Sequence, residues 1–427
     1  MLFTLLMLFG LFFLLIATNM PVAIALGISS LAVLLVNNMA TIDMYLTASF
    51  TASDSLPLIA IPLFILAGDI MSKGGIAKRL IQFVETLVGS FTGGLGIITV
   101  ITSFIFAAIS GSGPATVAVI GGIMLPYMIE RGYSKEYSTS LVASAGSMGP
   151  IIPPSILFIL YGVLANVSIG DLFIAGIIPG MMIGLTLIIV NYFISKKENY
   201  TGTEKKTFND VVKSLNEAKF ALLAPIVVLG GIYGGVFTPT EAAVIAVFYS
   251  LLVSLFIHKE INFKDIPSIF MNASAVSGGI MILVGVAALF GRILSLEQIP
   301  NQLSQFIAGI TTNPFIMLLV ISVFLLIVGM FMETVSALMI FVPILIPIAL
   351  HLGVDPLHFG IIASINLTLG QLTPPMGINL FVASRISDLP FERTFKYLFP
   401  ILGALIITML IITYIPQLSL FLPELLN

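Results

Sequence analysis

Two short stretches place hydroxyls, glycines and prolines where the chain is otherwise apolar. Ser110–Thr116 reads S-G-S-G-P-A-T, and Ala145–Ser155 reads A-G-S-M-G-P-I-I-P-P-S. A helix that stops inside a membrane leaves terminal N–H or C=O groups without partners. Its N-terminal end attracts anions and its carbonyl end attracts cations. A hard monovalent cation such as Na+ also takes hydroxyl and amide oxygens. The first half of the chain supplies Ser110, Ser112, Thr116, Ser144 and Ser147 for that purpose. Gly111, Gly113 and Gly149 let backbone approach an ion, and Pro150, Pro153 and Pro154 prevent the helix from closing over the gap. The second half supplies Glu333, Thr334, Ser336, Asn366, Thr368, Gln371 and Thr373, followed by Pro374 and Pro375.

These groups need a membrane around them to be unusual, and composition provides it. Of 427 residues, 58% are hydrophobic and 9% charged, against about 25% charged in a soluble domain. The chain is read as an all-α polytopic membrane protein. A net charge of −3 argues against nucleic-acid binding. With no Cys, disulfides and thiolate metal sites are excluded. The N-terminus is apolar without a basic leader region and is read as a first span.

Span candidates cover Leu2–Ala17, Val22–Val36, the core Pro57–Met71 and Leu172–Ile194, with an interfacial segment at Asn37–Thr51. Lys73–Ser90 is amphipathic, with Ile76, Leu80, Phe83, Val84 and Leu87 on one face. Gly93–Ile129 and Tyr137–Leu164 are apolar tracts broken in the middle. Ser195–Lys219 is the soluble-looking segment, with six Lys against four acids, and is placed in the cytoplasm. Counting spans from it puts both termini outside and gives the two halves opposite orientations.

The second half copies the first. A shift of 221 residues takes Pro126 to Pro347, Gly132 to Gly353, Gly149 to Gly370, Pro153 to Pro374, Pro154 to Pro375 and Pro179 to Pro400. Upstream, Gly68–Ser72 pairs with Gly291–Ser295, and Ile76, Leu80, Gln82 and Phe83 pair with Ile299, Leu303, Gln305 and Phe306. Inverted repeats with matching broken segments indicate a secondary transporter with a mid-membrane site. Repeat 1 is assigned to 1–215: scaffold and arm helices 1–90, hairpin and broken helix 91–165, closing span 172–195, with the linker at 195–219. Repeat 2 is assigned to 216–427: scaffold and arm helices 220–312, hairpin and broken helix 313–385, closing span 394–420. That makes about ten spans plus two hairpins.

Charges inside spans are functional candidates. Glu333 lies at the second break and fits an ion ligand, a proton site or a paired buried charge. Asp69 and Arg292 hold matching repeat positions, facing either an interface or the site. Glu241 reads as part of a capping box, T-P-T-E. His258, His351 and His358 fall in expected loops and are read as solvated. Two other classes accommodate polar breaks: a membrane-embedded serine hydrolase using Ser112, and a channel. Against the first, no His or Lys is expected inside a span as a base.

Several motifs together resemble the large membrane subunit of TRAP (tripartite ATP-independent periplasmic) transporters. They are I-P-L-F-I-L-A-G-D-I-M (Ile61–Met71), S-G-S-G-P-A-T, G-S-M-G-P-I-I-P-P-S, F-T-P-T-E-A-A (Phe237–Ala243) and L-T-P-P-M-G (Leu372–Gly377). The resemblance spans essentially the whole chain. It implies a sodium-driven importer of organic-acid anions, of the sialic acid or C4-dicarboxylate class, in a bacterial inner membrane. It implies an elevator-type fold with scaffold and transport domains and no organic cofactor. The implied partners are a separate small four-helix membrane subunit and a soluble periplasmic binding protein, besides membrane lipid. Two sodium sites are implied. The first lies at Ser110, Ser112, Gly113, Ser147, Gly149 and Pro150. The second lies at Gly329, Glu333, Thr334, Asn366, Thr368, Gly370 and Thr373. The substrate is implied between the hairpin tips, near Thr116, Ser155, Thr334, Ser336 and Asn379. The copies differ where Ser112 aligns with Glu333 and Ser155 with Met376.

Overall fold

The computed structural model describes residues 2–37, 42–300, 302 and 313–426. Among them every regular element is helical. The first half contains α1 (Leu2–Ala17), α2 (Val22–Asn37), α3 (Ile42–Ser53), α4 (Ala60–Lys73), α5 (Ile76–Val88), α6 (Gly94–Ser110), α7 (Gly113–Glu130), α8 (Lys135–Gly146), α9 (Ile156–Ala165), α10 (Ile169–Ala175) and α11 (Ile177–Glu198). The second contains α12 (Phe208–Tyr233), α13 (Pro239–Leu252), α14 (Ile266–Leu296), α15 (Pro314–Phe331), α16 (Thr334–His351), α17 (Pro356–Gly370), α18 (Ile378–Ser387), α19 (Phe395–Tyr414) and α20 (Gln417–Leu426). Among the described residues, 9 helical stretches are long and apolar enough to cross a membrane, and shorter apolar helices accompany them.

The echo in the sequence reappears in the helix ends. Shifted by 221, α7 coincides with α16 at both termini. Shifted by 222, α9 coincides with α18. Each half thus holds a two-helix hairpin followed by a helix broken into two pieces. Both Pro–Pro bonds of the breaks, Pro153–Pro154 and Pro374–Pro375, are cis. The repeat partner of α5 begins at Ile299, but Leu303, Gln305 and Phe306 lie outside the described residues, as do residues 38–41 of the expected interfacial segment.

The halves interlock. The second piece of each broken helix packs on the other half's hairpin: α9 on α16 and α18 on α7. The closing helices α11 and α19 meet face to face, and Thr186 Oγ1 lies 2.7 Å from Thr408 Oγ1, one repeat length away. Around this interlocked unit stand α4, α12, α13 and α14, with α4 against α13 and α14. Helix α5 lies between α12 and α6 and buries Ile76, Leu80 and Val84.

Local chemistry sets the helix starts. Thr207 and Asp210 form a reciprocal capping box, with Thr207 N–H donating to Asp210 Oδ2 at 2.8 Å. Helix α12 therefore begins at Phe208, inside the segment that charge alone marked as a soluble loop through Lys219. Thr238 and Glu241 form the second box, as T-P-T-E indicated, with Thr238 N–H donating to Glu241 Oε2 at 2.8 Å.

Candidate functional site

The hairpin tips are turns of one or two residues. The first falls at Gly111–Ser112, between α6 and α7, where Gly111 has φ +57° in the left-handed region that glycine favours. Ser110 Oγ lies 2.9 Å from Thr116 Oγ1, and Thr116 Oγ1 donates to the Ser112 carbonyl at 2.8 Å. The Ser112 side chain makes no capping bond to α7, so the start of α7 keeps uncapped N–H groups. The second tip falls at Met332–Glu333, between α15 and α16. Here the position is filled differently. Glu333 Oε2 accepts from Val335 N–H at 2.9 Å and Ser336 N–H at 3.1 Å, and Thr334 Oγ1 donates to Glu333 Oε1 at 3.1 Å. The first tip therefore offers donors, whereas the second offers a carboxylate that saturates its own helix end.

Both tips open on one cavity of about 540 Å³. Its wall includes Ser110, Ser112, Gly113, Pro150, Glu333 and Thr334. Helix α4 adds Gly68, Asp69 and Ser72, and α14 adds Val276 and Ile280. Of the expected pair Asp69 and Arg292, Asp69 faces this cavity and Arg292 is exposed elsewhere. The sequence leaves Asp69 open between an interface and the site, and does not single out Ser72. The signal for Asp69 was present, an acid within an apolar span, but position along a span does not reveal which way a side chain points.

The remaining candidates sit behind the cavity wall. Gly149 packs on the first tip: a Cβ there would lie 2.5 Å from the Ser112 carbonyl oxygen. Gly329 and Gly370 pack on each other, and a Cβ on Gly370 would lie 2.5 Å from the Gly329 Cα. Ser147 and Thr368, equivalent in the repeat, both donate back to their helices, to Ser144 O at 2.6 Å and Ser364 O at 2.7 Å. Thr373 does the same to Leu369 O at 2.9 Å. Asn366 and Thr368 are still helical, because α17 runs on to Gly370 and the helix breaks only from Gln371. Asn366 Oδ1 and both amide atoms of Gln371 are buried with no hydrogen-bond partner among the described residues.

Of the substrate candidates, Thr334 lines the cavity directly. Thr116, Ser155, Ser336 and Asn379 are buried. Ser155 caps α9, accepting from Phe158 N–H at 3.4 Å while donating to Pro150 O. Asn379 lies beside the first tip: a Cβ on Gly113 would come within 2.9 Å of Asn379 Oδ1 and 3.2 Å of the Gly146 carbonyl oxygen. Its amide atoms also lack a partner among the described residues.

Residues 9–418 match the family model described as "Tripartite ATP-independent periplasmic transporter, DctM component". The chain belongs to the DctM family. Similar relatives include the isethionate TRAP transporter permease protein DctMQ of Oleidesulfovibrio alaskensis, 43% identical over 97% of this chain. The chain spans 65% of that longer protein. The C4-dicarboxylate TRAP transporter large permease protein DctM of Pseudomonas aeruginosa is 38% identical, covering 94% of each chain. The sialic acid large permease protein SiaM of Vibrio cholerae is 36% identical, covering 95% of each. The fold is shared with the YdaH transporter of Alcanivorax borkumensis, with a TM-score of 0.60 at 13% identity over 86% of each chain. As a DctM protein the chain is a multi-pass membrane transporter component and not an enzyme, so the Ser112 hydrolase reading is set aside.

The histidine expectation is corrected. His351 is exposed. His358, however, is 1% exposed at the start of α17, with Nδ1 3.2 Å from Ser419 Oγ and Nε2 3.1 Å from Thr413 O. His258 is half-buried, its Nδ1 3.0 Å from Gly74 O. Both rings are covered by chain segments distant in sequence, which loop position alone does not disclose.

Proposed function

We propose that this DctM protein carries an organic-acid anion across a bacterial inner membrane, driven by sodium. The observation that carries the reading is the shared cavity. The uncapped start of α7 suits the anionic end of a solute, and the carboxylates of Glu333 and Asp69 suit cations. One sodium site is assigned to Ser110, Ser112, Gly113, Ser147, Gly149 and Pro150. The other is assigned to Gly329, Glu333, Thr334, Asn366, Thr368, Gly370 and Thr373. Thr334 would touch the solute first; Thr116, Ser155, Ser336 and Asn379 would reach it when the tips part. Relatives named for isethionate, C4-dicarboxylates and sialic acid define the range of solutes to test.

The movement is proposed as an elevator, with the two hairpins and broken helices travelling against α4, α12, α13 and α14. At this contact Ala67, Ala224 and Ala246 lie near Ala108 and Pro154, among the larger Phe64, Met71, Ile109 and Val228. A small membrane subunit and a periplasmic binding protein complete the transporter. The linker around residues 199–207 is proposed to face the cytoplasm and both termini the periplasm. In vesicles holding the assembled transporter, uptake of isethionate, succinate or sialic acid should require an inward sodium gradient and the binding protein. Uptake that proceeds equally in potassium would overturn the coupling.

A further inference from the structure

Helix α5 joins α4, which walls the cavity, to α6, the first arm of the hairpin. Glycines flank both of its ends: Gly74–Gly75 before it, and Gly89, Gly93 and Gly94 after it. If the hairpin moves against α4, the chain must bend at one of these corners.

The first corner is held by side chains. Gly75 has φ +70°, a conformation suited to glycine. His258 Nδ1 lies 3.0 Å from the Gly74 carbonyl oxygen. Arg79 Nη1 donates to the Gly75 carbonyl oxygen at 3.0 Å, and Arg79 Nη2 meets Glu260 Oε1 at 3.1 Å. The fit is close: a Cβ on Gly75 would lie 2.5 Å from Arg79 Nη1 and 2.9 Å from Glu260 Cγ. His258 and Glu260 are themselves positioned by the π-helical turn Val253–Ile257 that ends α13. His258 N–H bonds Val253 O at 2.8 Å, and Glu260 N–H bonds Ser254 O at 3.2 Å. The Arg79 side chain is 20% exposed and that of Glu260 44%, so the pair is partly solvated and acts through its fit to the Gly75 corner rather than through charge alone.

The second corner is held differently. Gly93 N–H bonds Tyr200 O at 3.1 Å, Asn191 Nδ2 donates to Gly93 O at 3.1 Å, and Thr203 N–H bonds Gly89 O at 2.7 Å. These partners lie on α11, which packs on α6, and on the linker after it; bending here would release the Thr203–Gly89 bond and the bond from Tyr127 of α7 to Glu85 Oε1 of α5 at 2.8 Å. Ser90, Phe91 and Thr92 between them are exposed.

We propose that Arg79, Glu260 and His258 clamp α5 to α13, so that hairpin movement bends the chain at Gly89–Gly94 and leaves Gly74–Gly75 rigid. This rests on the elevator reading. The clamp makes α5 a rigid extension of the framework around α4 and α13, and it puts the hinge where exposed residues and glycines can absorb a backbone change.

The cysteine-free chain allows a direct test with paired spin labels in the assembled transporter. One pair, Lys78→Cys with Lys259→Cys, reports the clamped corner from exposed positions. A second pair, Ile123→Cys on α7 with Phe248→Cys on α13, reports the hairpin against the framework. Between sodium-free and sodium-plus-succinate conditions, the corner distance should stay within about 2 Å. The hairpin distance should change by more than about 5 Å, roughly one helical turn. Adding Glu260→Gln should broaden the corner distribution. Movement of the corner by as much as the hairpin would overturn the clamp while leaving the elevator standing. A still hairpin would instead remove the elevator, and the clamp would then stand or fall on whether Glu260→Gln loosens the corner.

Discussion

Gly149 lies against the carbonyl group of Ser112, so close that a Cβ would sit 2.5 Å from its oxygen. The repeat-equivalent Gly370 makes a similarly close approach in the other half, to Gly329, which aligns with Ala108 and so lies one helical turn before the tip. In both copies a glycine in or at the edge of the break lets a hairpin come down onto the broken helix. The two backbones then present carbonyl oxygens with no side chain between them. This contact is where sequence repetition becomes site geometry.

Alanine at either glycine should therefore push the hairpin off the break. Gly149→Ala and Gly370→Ala meet backbone atoms that cannot rotate away, and overpacking of this kind costs about 1–3 kcal/mol. Uptake should fall at least tenfold for each. Gly122→Ala is the control, since nothing lies within 4 Å of its added Cβ. Its uptake should match the parent protein in the same vesicle assay.

Glu333→Gln tests the asymmetry between the tips. Glutamine keeps an oxygen able to accept from Val335 and Ser336 N–H, so α16 should stay capped. The charge is gone, and the sodium concentration for half-maximal uptake should rise about tenfold, equivalent to about 1.4 kcal/mol. An unchanged sodium dependence would assign Glu333 to capping alone.

The folding pattern was legible where local chemistry repeats. The Pro and Gly matches marked both breaks, and T-P-T-E marked the start of α13. What periodicity could not supply was facing. Asp69 and Arg292 look equivalent in the sequence, yet one lines the cavity and the other is exposed. Ser155, read as a substrate candidate, also caps α9, which its place beside a break does not reveal. Asn379 comes to the first tip only because α18 of one half packs on α7 of the other. Crossing of that kind depends on tertiary packing, which residue spacing within one repeat does not encode.

Thr238→Ala should separate stability from transport. It removes the hydroxyl that accepts Glu241 N–H at 3.3 Å, at the start of α13 and away from the cavity. Loss of such a cap costs about 1 kcal/mol. The thermal midpoint should drop while the sodium and solute concentrations for half-maximal uptake stay unchanged.

The corner beside α5 should respond to acid. Burial of His258 pushes its pKa below the usual 6.5, opposed by the Gly74 carbonyl; nearby Arg79 lowers it further and Glu260 raises it. The folded state therefore favours the neutral ring. Stability from this group is present above about pH 6.5 and is lost as the pH falls through the lower folded value. Amide exchange at residues 74–79 should quicken on acidification, and His258→Gln should flatten that response.

The most direct measurement is the sodium activation curve of uptake by the assembled transporter, taken for the parent protein, Gly149→Ala and Gly370→Ala. Two cooperating sites predict a sigmoidal curve for the parent with a Hill coefficient approaching about 2. Each glycine variant should become hyperbolic as its own site is lost. A parent curve that is flat in sodium, or glycine variants whose curves keep the parent's shape and midpoint, would contradict the account.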